Sequence, residues 1–397
     1  MAELAWNIVR SDGWWGVLHG FKRLVRVDSG NPLVSVFLGG GNDYTGWLRR
    51  FDTLTEADRI RLRVQVQAMA LKPLLSVVMP TYNTPLHWLD EAIESVRRQL
   101  YPHWEFCISD DASTDPAVRT ALERWQEIDP RIRVVFRPQN GHICASTNSA
   151  LELVQGEWVV LLDHDDLLPE HALFWVAHTI NAQPDAQMIY SDEEKISEKG
   201  VRRYPYFKPD WNPDLFLSQN MFSHLGAYRT ALVRQVGGFQ QGYEGAQDYD
   251  LALRCMEQVR SEQIVHIPRV LYSWRVHEAS TASTNAAKPY AAVAGERALN
   301  GHLTRTGVVG ETEFTGHGYR VRYAPAPTHL RVGVVILGGT LSDWQRCMEG
   351  LRLQKVRNPL DVVVVCASVE MADAQLNWAK QARLQLLPQG VKLRFSG

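Results

Sequence analysis

The feature that most constrains the fold is the alternation of short apolar runs with amphipathic segments that begins at Leu74. "LLSVVMP" is a nearly continuous apolar run, typical of a strand buried on both faces. The next segment, residues 84–100, has apolar residues at helical spacing and opens with Thr84 as N-cap and Pro85 as first helical residue. "WEFCISDD", "IRVVFRP" and "EWVVLL" continue as strands. This alternation predicts βαβ units and a mainly parallel sheet.

Polar motifs follow three of the predicted strands. They are "PTYN" (80–83), "SDDAS" (109–113) and "DHDD" (163–166). In open parallel sheets, ligands bind at the carboxyl ends of the strands. The sequence therefore predicts a binding site at that edge.

The acidic run after "EWVVLL" fits a cation site. If strand geometry continues through Asp163 and Asp165, their side chains point to the same side. Two converging carboxylates suit Mg²⁺ or Mn²⁺, and such an ion would admit a diphosphate that bare carboxylates repel. The alternative is a solvated acidic turn in which Asp166 caps a helix beginning near Pro169. The acids alone do not decide between them.

Two further segments carry candidate site residues. Asp248 and Asp250 precede a helix-like run, so one of them is expected to cap it, and a carboxylate there suits either capping or general-base chemistry. Arg275 and His277 alternate on an extended segment. Arg275 can pair with phosphate and His277 can be a third metal ligand, although a lone histidine is more often structural.

Composition excludes several classes of protein. The chain has 397 residues, 45% hydrophobic and 22% charged, with a formal net charge of -2, which leaves room for two or three domains but gives no basic field for nucleic acid. Five cysteines without metal-ligand spacing indicate reduced thiols. No apolar run reaches the roughly 18 residues of a membrane span. These features predict a cytoplasmic protein.

The segment Trp6–Val27, "WNIVRSDGWWGVLHGFKRLVRV", mixes tryptophans with basic residues. Such a stretch can lie in a bilayer interface, which would place the protein at the inner face of the membrane. The favoured alternative is a helix that packs its aromatic face on the main domain, although Gly13, Gly16 and Gly20 weaken a helix in either case.

The sequence predicts three parts. Residues 1–72 form an N-terminal extension, expected to be helical, and residues 73–325 form the main domain. Residues 328–397 repeat its opening strand, turn and helix, but Cys366 and Ala367 stand where the first copy has its acid pair. This last part is expected to be the start of a second, incomplete α/β unit.

Five motifs occur in order, "SVVMPTYN", "SDDAST", "LLDHDDLLP", "GGFQQGYEGAQDYDLALR" and "WRVH". Together, over about Leu74 to Leu303, they resemble family 2 glycosyltransferases, and most closely the bacterial rhamnosyltransferase-like members that build surface polysaccharides. The resemblance implies the GT-A fold, a Rossmann-like mixed, mainly parallel sheet flanked by helices. It also implies a nucleotide-sugar donor and a divalent metal, Mg²⁺ or Mn²⁺.

The resemblance assigns roles to the motifs. Asp163 and Asp165 match the DxD motif, whose metal bridges to the diphosphate, and His277 matches a histidine that completes the metal shell in some members. Asp248 matches the catalytic base that deprotonates an acceptor hydroxyl for an inverting in-line attack. The other expected donor-binding residues are Pro80, Thr81, Tyr82, Asp111, Asn148, Asp192 and Arg275. Trp211, in the aromatic-rich loop 204–220, is expected to stack on donor or acceptor rings.

Two departures from the family pattern affect this interpretation. Gln247 stands where many members have glutamate before the base, so a second acidic role is missing there. Ser146-Thr147-Asn148 replaces the common Ala-Arg-Asn, which removes one expected contact to the nucleotide. Neither change removes the metal ligands or the base.

The sequence thus predicts an inverting, metal-dependent glycosyltransferase that moves a sugar from a dTDP- or UDP-sugar to a glycan or polyprenyl-linked acceptor. One alternative is a catalytically silent nucleotide-sugar-binding or scaffold module, against which the retention of Asp163, Asp165 and Asp248 argues. Another is a nucleotidyltransferase, but "PTYNTP" lacks the glycine-rich, basic loop that such enzymes use for the triphosphate.

Overall fold

The computed structural model describes residues 43–277, 289–324, 332–337, 341–353, 360–365 and 392–396. The basic, tryptophan-rich stretch Trp6–Val27 lies outside these residues, as do Cys366 and Ala367. The chain divides into two compact units, Met1–Arg322 and Tyr323–Gly397.

The first unit alternates helices and strands. Its helices are α1 (Asp43–Trp47), α2 (Glu56–Ala68), α3 (Leu86–Arg97), α4 (Pro116–Ile128), α5 (His142–Glu152), α6 (Ala172–Ala182), α7 (Pro213–Phe216), α8 (Thr230–Gln235), α9 (Gln247–Met256) and α10 (Pro289–Thr306). Its strands are β1 (Leu75–Thr81), β2 (Trp104–Asp110), β3 (Ile132–Phe136), β4 (Trp158–Leu161), β5 (Met188–Ser197), β6 (Arg202–Tyr206), β7 (Gly226–Arg229), β8 (Ile264–Val276), β9 (Gly310–Phe314) and β10 (Tyr319–Tyr323).

The main sheet has the strand order β3-β2-β1-β4-β7-β5-β6, and β8 also pairs with β5. Strand β1 is parallel to β2 and β4, β2 is parallel to β3, and β5 is parallel to β8. Strand β7 is antiparallel to β4 and β5, and β6 is antiparallel to β5. The expected mixed, mainly parallel sheet flanked by helices is confirmed. Strands β9 and β10 form a separate hairpin.

The apolar patterns account for the packing of these elements. Every residue of β1 and β2 is buried, as expected for strands covered on both faces. Helix α4 has Asp115 as its N-cap, and the Asp115 side chain accepts from the Ala117 backbone N–H. The predicted start of α3 is wrong by one residue. Pro85 is its N-cap, and the Thr84 hydroxyl bonds instead to that of Thr81, at 2.6 Å.

Strand register brings the polar motifs to one edge of the sheet. Leu75 of β1 pairs with both Trp104 of β2 and Trp158 of β4, and all three strands run in the same direction. Their carboxyl ends therefore lie side by side.

The described part of the second unit consists of β11 (Val332–Leu337), α11 (Leu341–Leu353), β12 (Leu360–Val365) and β13 (Lys392–Ser396). The strands form a parallel sheet in the order β11-β12-β13. This unit has the strand, helix and strand order that the sequence repeat predicts.

Two further properties concern the described residues alone. None of their helices combines the length and apolarity needed to cross a bilayer. Cys107, Cys144 and Cys255 are buried free thiols, and Cys347 is an exposed one.

A buried glutamate joins the first strands of the sheet. Glu105 of β2 accepts hydrogen bonds from the Ser76 hydroxyl at 2.6 Å and from the backbone N–H groups of Gln155 and Gly156 at 2.6 and 2.9 Å. Arg133 of β3 also donates to it. Since a buried carboxylate is costly without such partners, this network fixes the turn that leads into β4.

Replacing Gly156 by alanine is expected to destabilise the protein. An added Cβ would lie 2.4 Å from the Leu74 carbonyl oxygen and 2.5 Å from the Ser76 hydroxyl. Such overpacking should lower the free energy of unfolding by about 1–3 kcal/mol, measured by thermal or denaturant unfolding. Gly46→Ala is the matched control, because no atom lies within 4 Å of its added Cβ. Equal melting temperatures for the two variants would contradict the role of this turn.

Candidate functional site

A cavity of about 740 Å³ opens at the carboxyl edge of the sheet. It collects five of the residues predicted from the sequence, which are Pro80, Asp163, Asp165, Asp248 and His277. They come from β1, from the turn after β4, from the start of α9 and from the end of β8. The acidic motif and the predicted base therefore share one hollow.

The acidic turn is held in place by β8. The Asp166 carboxylate is fully buried and accepts from the Tyr272 hydroxyl at 2.6 Å and from the Arg275 backbone N–H at 2.7 Å. The Asp163 N–H donates to the same Tyr272 hydroxyl at 3.1 Å. Burial raises the pKa of Asp166 well above its ordinary value, and the nearby charges of Asp165 and Asp163 add to the effect.

The alternative in which Asp166 caps a helix near Pro169 is wrong. Helix α6 begins later, at Ala172, and its N-cap residue, His171, makes no side-chain cap bond. Asp166 instead faces β8, which lies far away in the sequence. Asp166 therefore caps no helix, whereas Asp163 and Asp165 of the same turn stay partly exposed.

Arg275 lies behind the turn. Its side chain is almost completely buried. Its Nε donates to the Asp165 carbonyl oxygen at 2.6 Å, and its Nη2 donates to Glu91 at 2.7 Å. Arg275 is not among the residues that line the cavity, so its predicted contact to phosphate stays a prediction.

The two aspartates of the DxD motif have different neighbours. Asp165 lies 2.7 Å from His277 Nε2, and the His277 ring packs 4.6 Å from that of Trp88. Asp163 is open to the cavity, with 42% of its side chain exposed. Protein nevertheless surrounds it closely enough that desolvation raises its pKa. The negative charge of Asp165 adds to the rise, and His224 opposes it.

The predicted metal ligands have the atom types that a divalent ion binds, but their side chains are not arranged as a set of metal ligands. Asp163, Asp165 and His277 supply the oxygen and nitrogen atoms that Mg²⁺ or Mn²⁺ accepts, and they line the same cavity. Within residues 43–277 and the other described ranges, no three His, Cys, Asp or Glu side chains are arranged to hold a metal ion. Metal binding stays a prediction.

A cationic group that the sequence analysis did not find lies beside Asp163. His224 Nε2 is 3.9 Å from the Asp163 carboxylate, and its Nδ1 is 3.2 Å from Glu193. Burial alone would lower the pKa of His224, but the hydrogen bond and charge of Glu193 raise it to about 9. Burial would also raise the pKa of Glu193, but Lys208 and His224 lower it to about 2. His224 is therefore protonated at neutral pH.

Asp248 lies in the first turn of α9 and faces the cavity. Asn220 Nδ2 donates to its Oδ2 at 2.8 Å, and Asn220 also lines the cavity. The prediction that Asp248 or Asp250 caps α9 is wrong. The N-cap is Ala246, which makes no side-chain bond, and Asp250 is buried in an ion pair with Arg254 at 2.6 Å.

Three predicted nucleoside-binding residues are not among those that line the cavity. Thr81 is buried, and Tyr82 is 43% exposed. Asp111 accepts from the Gly141 backbone N–H at 3.0 Å and pairs with Arg137 Nε at 2.8 Å. Their contacts to a nucleoside stay predictions.

The remaining predicted residues, Asn148, Asp192 and Trp211, are not among the cavity-lining residues and contact other protein groups. Asn148 exchanges hydrogen bonds of 2.8 Å with the backbone of Phe239. Asp192 accepts from the Lys208 N–H at 2.8 Å and lies 2.9 Å from His266 Nε2. The last residue of this group is Trp211, whose ring lies 5.0 Å from that of Phe216. Their contacts to donor or acceptor stay predictions.

His224 and Asn220 carry no motif by which the sequence could identify them. Asn220 is the last residue of the aromatic-rich loop 204–220, and His224 follows four residues later. This stretch has neither helical nor strand periodicity. Long-range contacts alone bring them to the cavity. Only the expectation that Trp211 of this loop stacks on donor or acceptor rings pointed to the region.

Comparison with known proteins finds similarity to glycosyltransferase and polysaccharide-biosynthesis proteins. A model of glycosyl transferase family 2 matches residues 76–237. The uncharacterized protein y4gI of Sinorhizobium fredii is 51% identical over 68% of this chain and 29% of its own length. The O-antigen biosynthesis protein RfbC of Myxococcus xanthus is 35% identical over 80% of this chain and 24% of its own length. The chain thus spans less than a third of each of these relatives.

Among solved structures, S. aureus TarS in complex with UDP-GlcNAc superposes with a TM-score of 0.45 at 21% identity, covering 58% of this chain and 72% of that one. The ordered motifs, the sheet and the family match lead to one conclusion. Residues 76–237 belong to glycosyl transferase family 2.

Proposed function

We propose that this chain transfers a sugar, with inversion, from a dTDP- or UDP-sugar to a glycan or polyprenyl-linked glycan in cell-surface polysaccharide biosynthesis. The observation that carries the proposal is the position of Asp163, Asp165 and Asp248 around one cavity of about 740 Å³. That volume lies within the roughly 300–1,000 Å³ of small-molecule sites. The name of the relative RfbC, an O-antigen biosynthesis protein, supports the polysaccharide context.

In the proposed reaction Asp248 is the general base. Asn220 Nδ2 donates to Asp248 Oδ2 at 2.8 Å. The other carboxylate oxygen of Asp248 is therefore left to accept the proton of an acceptor hydroxyl. The N-terminal turn of α9 favours a charged carboxylate at this position. The deprotonated hydroxyl then attacks the anomeric carbon in a single displacement, which needs only one base.

The departing diphosphate requires positive charge at the opposite side of the cavity. Asp163, Asp165 and His277 would hold a divalent ion, which stabilises the charge of the leaving group when it is bound. His224 adds a second positive charge, 3.9 Å from Asp163. Arg275 keeps the turn in place through the Asp165 carbonyl oxygen.

The proposed domain arrangement is a main transferase domain at 73–325, preceded by the extension 1–72 and followed by a partial second unit at 328–397. We further propose that the chain acts in the cytoplasm, with peripheral association at the inner membrane face as the alternative. A polyprenyl-linked acceptor would be presented on that surface.

Asp248→Asn tests the base. Transfer should fall by about 10²–10⁴-fold because the amide cannot accept the proton, whereas nucleotide-sugar binding should stay nearly unchanged. Transfer would be measured with radiolabelled UDP- and dTDP-sugars on lipid-linked glycan extracts, and binding by calorimetry. Glu123→Gln, at an exposed carboxylate on α4, is the control and should keep full activity. Equal loss of transfer and binding would remove Asp248 as the base.

Chelation tests the metal. Because nucleotide-sugars bind the native state, the one that fits the site should raise the melting temperature. At 100 times its dissociation constant it should add about 2.7 kcal/mol to the free energy of unfolding. EDTA should suppress this rise in a panel of UDP- and dTDP-sugars, and Mn²⁺ or Mg²⁺ should restore it. Asp163→Asn combined with Asp165→Asn should abolish the metal dependence. Full stabilisation by donor in EDTA would rule out the metal role of the acidic motif.

A further inference from the structure

The cavity has a second wall of different chemistry. Away from the acidic turn, its lining includes the aromatic residues Tyr290 of α10, Phe314 of β9 and Tyr319 of β10. These elements follow residue 237 and lie outside the segment that matches the family model. No predicted site residue of the sequence analysis falls on this wall.

The β9–β10 hairpin is fixed against two neighbours. The Phe314 N–H donates to the Glu296 carboxylate of α10, and the Thr312 hydroxyl donates to the Glu296 carbonyl at 3.2 Å. On the other side, the Tyr319 N–H donates to the Ser218 carbonyl at 2.7 Å. The wall is therefore bonded both to α10 and to the segment that carries Asn220.

Tyr290 lies next to the turn that leads into Asp248. A Cβ added to Gly245 would meet Tyr290 Cε2 at 2.7 Å, so the ring packs directly on the Gly245 backbone. Tyr290 is nonetheless 52% exposed. A large apolar ring that is half open at the cavity, beside the proposed base, offers a flat surface to a ligand.

Asp248 lies between the acidic wall and the aromatic wall. Burial raises the pKa of Tyr319 to about 12, and the charges of Glu296 and Asp248 add to this. Asp163, Asp248, Phe314 and Tyr319 all line this one cavity.

We propose that Tyr290, Phe314 and Tyr319 form a subsite for a sugar ring of the acceptor. This inference rests on the proposed function and deepens it. A pyranose has apolar C–H faces that pack on aromatic rings and hydroxyl groups that need polar partners. Asn220 Oδ1 supplies such a partner, since it is buried without a protein hydrogen bond. A sugar on this wall has a hydroxyl within reach of Asp248 while the donor lies at the acidic turn.

Tyr290→Ala tests the subsite without a catalytic assay. Di- to tetrasaccharides containing rhamnose, mannose or N-acetylglucosamine would be titrated by calorimetry into full-length protein loaded with UDP or dTDP. At least one saccharide should bind the wild type, and the variant should lose about tenfold in affinity, the loss expected for one aromatic contact. Nucleotide affinity should not change. Tyr204→Ala, at a 73% exposed tyrosine of β6 outside the cavity lining, should bind as the wild type does.

A pair of glycine variants gives an independent check. Gly245 and Gly237 both have positive φ, +90° and +80°, so alanine strains the backbone similarly at each. Only at Gly245 does the added Cβ displace Tyr290, whereas nothing lies within 4 Å at Gly237. Gly245→Ala should weaken saccharide binding, and Gly237→Ala should leave it unchanged.

Two results would overturn the subsite alone. One is unchanged saccharide affinity in Tyr290→Ala, and the other is a wild type that binds UDP or dTDP but none of the saccharides. A wild type that binds neither nucleotide would overturn the proposed function, and this inference with it.

Discussion

The buried carboxylate of Asp166 is the interaction on which the site depends. Its two hydrogen bonds, to the Tyr272 hydroxyl and the Arg275 backbone, connect the turn after β4 to the end of β8. Leaving such a group without partners costs about 1–3 kcal/mol, so the turn has one strongly preferred position. In that position Asp163 and Asp165 line the cavity that Asp248 also lines. The geometry of the acids thus follows from a contact between segments more than a hundred residues apart.

Charge compensation is the second condition. Because Asp163 and Asp165 lie close together, ionising both costs more free energy than ionising two separated carboxyl groups. The chain offsets this with protonated His224 beside Asp163, and His277 Nε2 lies 2.7 Å from Asp165. Lys208, 3.4 Å from Glu193, completes a buried set of charges behind His224. The chain's own cations therefore compensate part of the charge of the acidic wall, and binding of a divalent ion there stays a prediction.

Periodicity and motif order predicted most of the fold, because the strands are uniformly buried and the helices amphipathic. They also identified Asp163, Asp165 and Asp248, whose neighbours in sequence belong to recognisable motifs. The same reasoning left open that Asp166 caps a helix, because a local pattern does not reveal hydrogen bonds to β8. It missed Asn220 and His224 for a similar reason, since their stretch has no periodicity and the sheet topology alone brings them to the cavity.

The central claim is that β8 holds the acidic turn through the Tyr272 hydroxyl. Calorimetry of nucleotide binding to Tyr272→Phe in the presence of Mn²⁺ tests it most directly, with UDP and dTDP as ligands. Tyr190→Phe is the matched comparison, because that buried hydroxyl donates to the Pro209 carbonyl instead. The account predicts a loss of affinity of about tenfold or more in Tyr272→Phe and none in Tyr190→Phe, with both proteins folded. Equal nucleotide affinity in the two variants would contradict it.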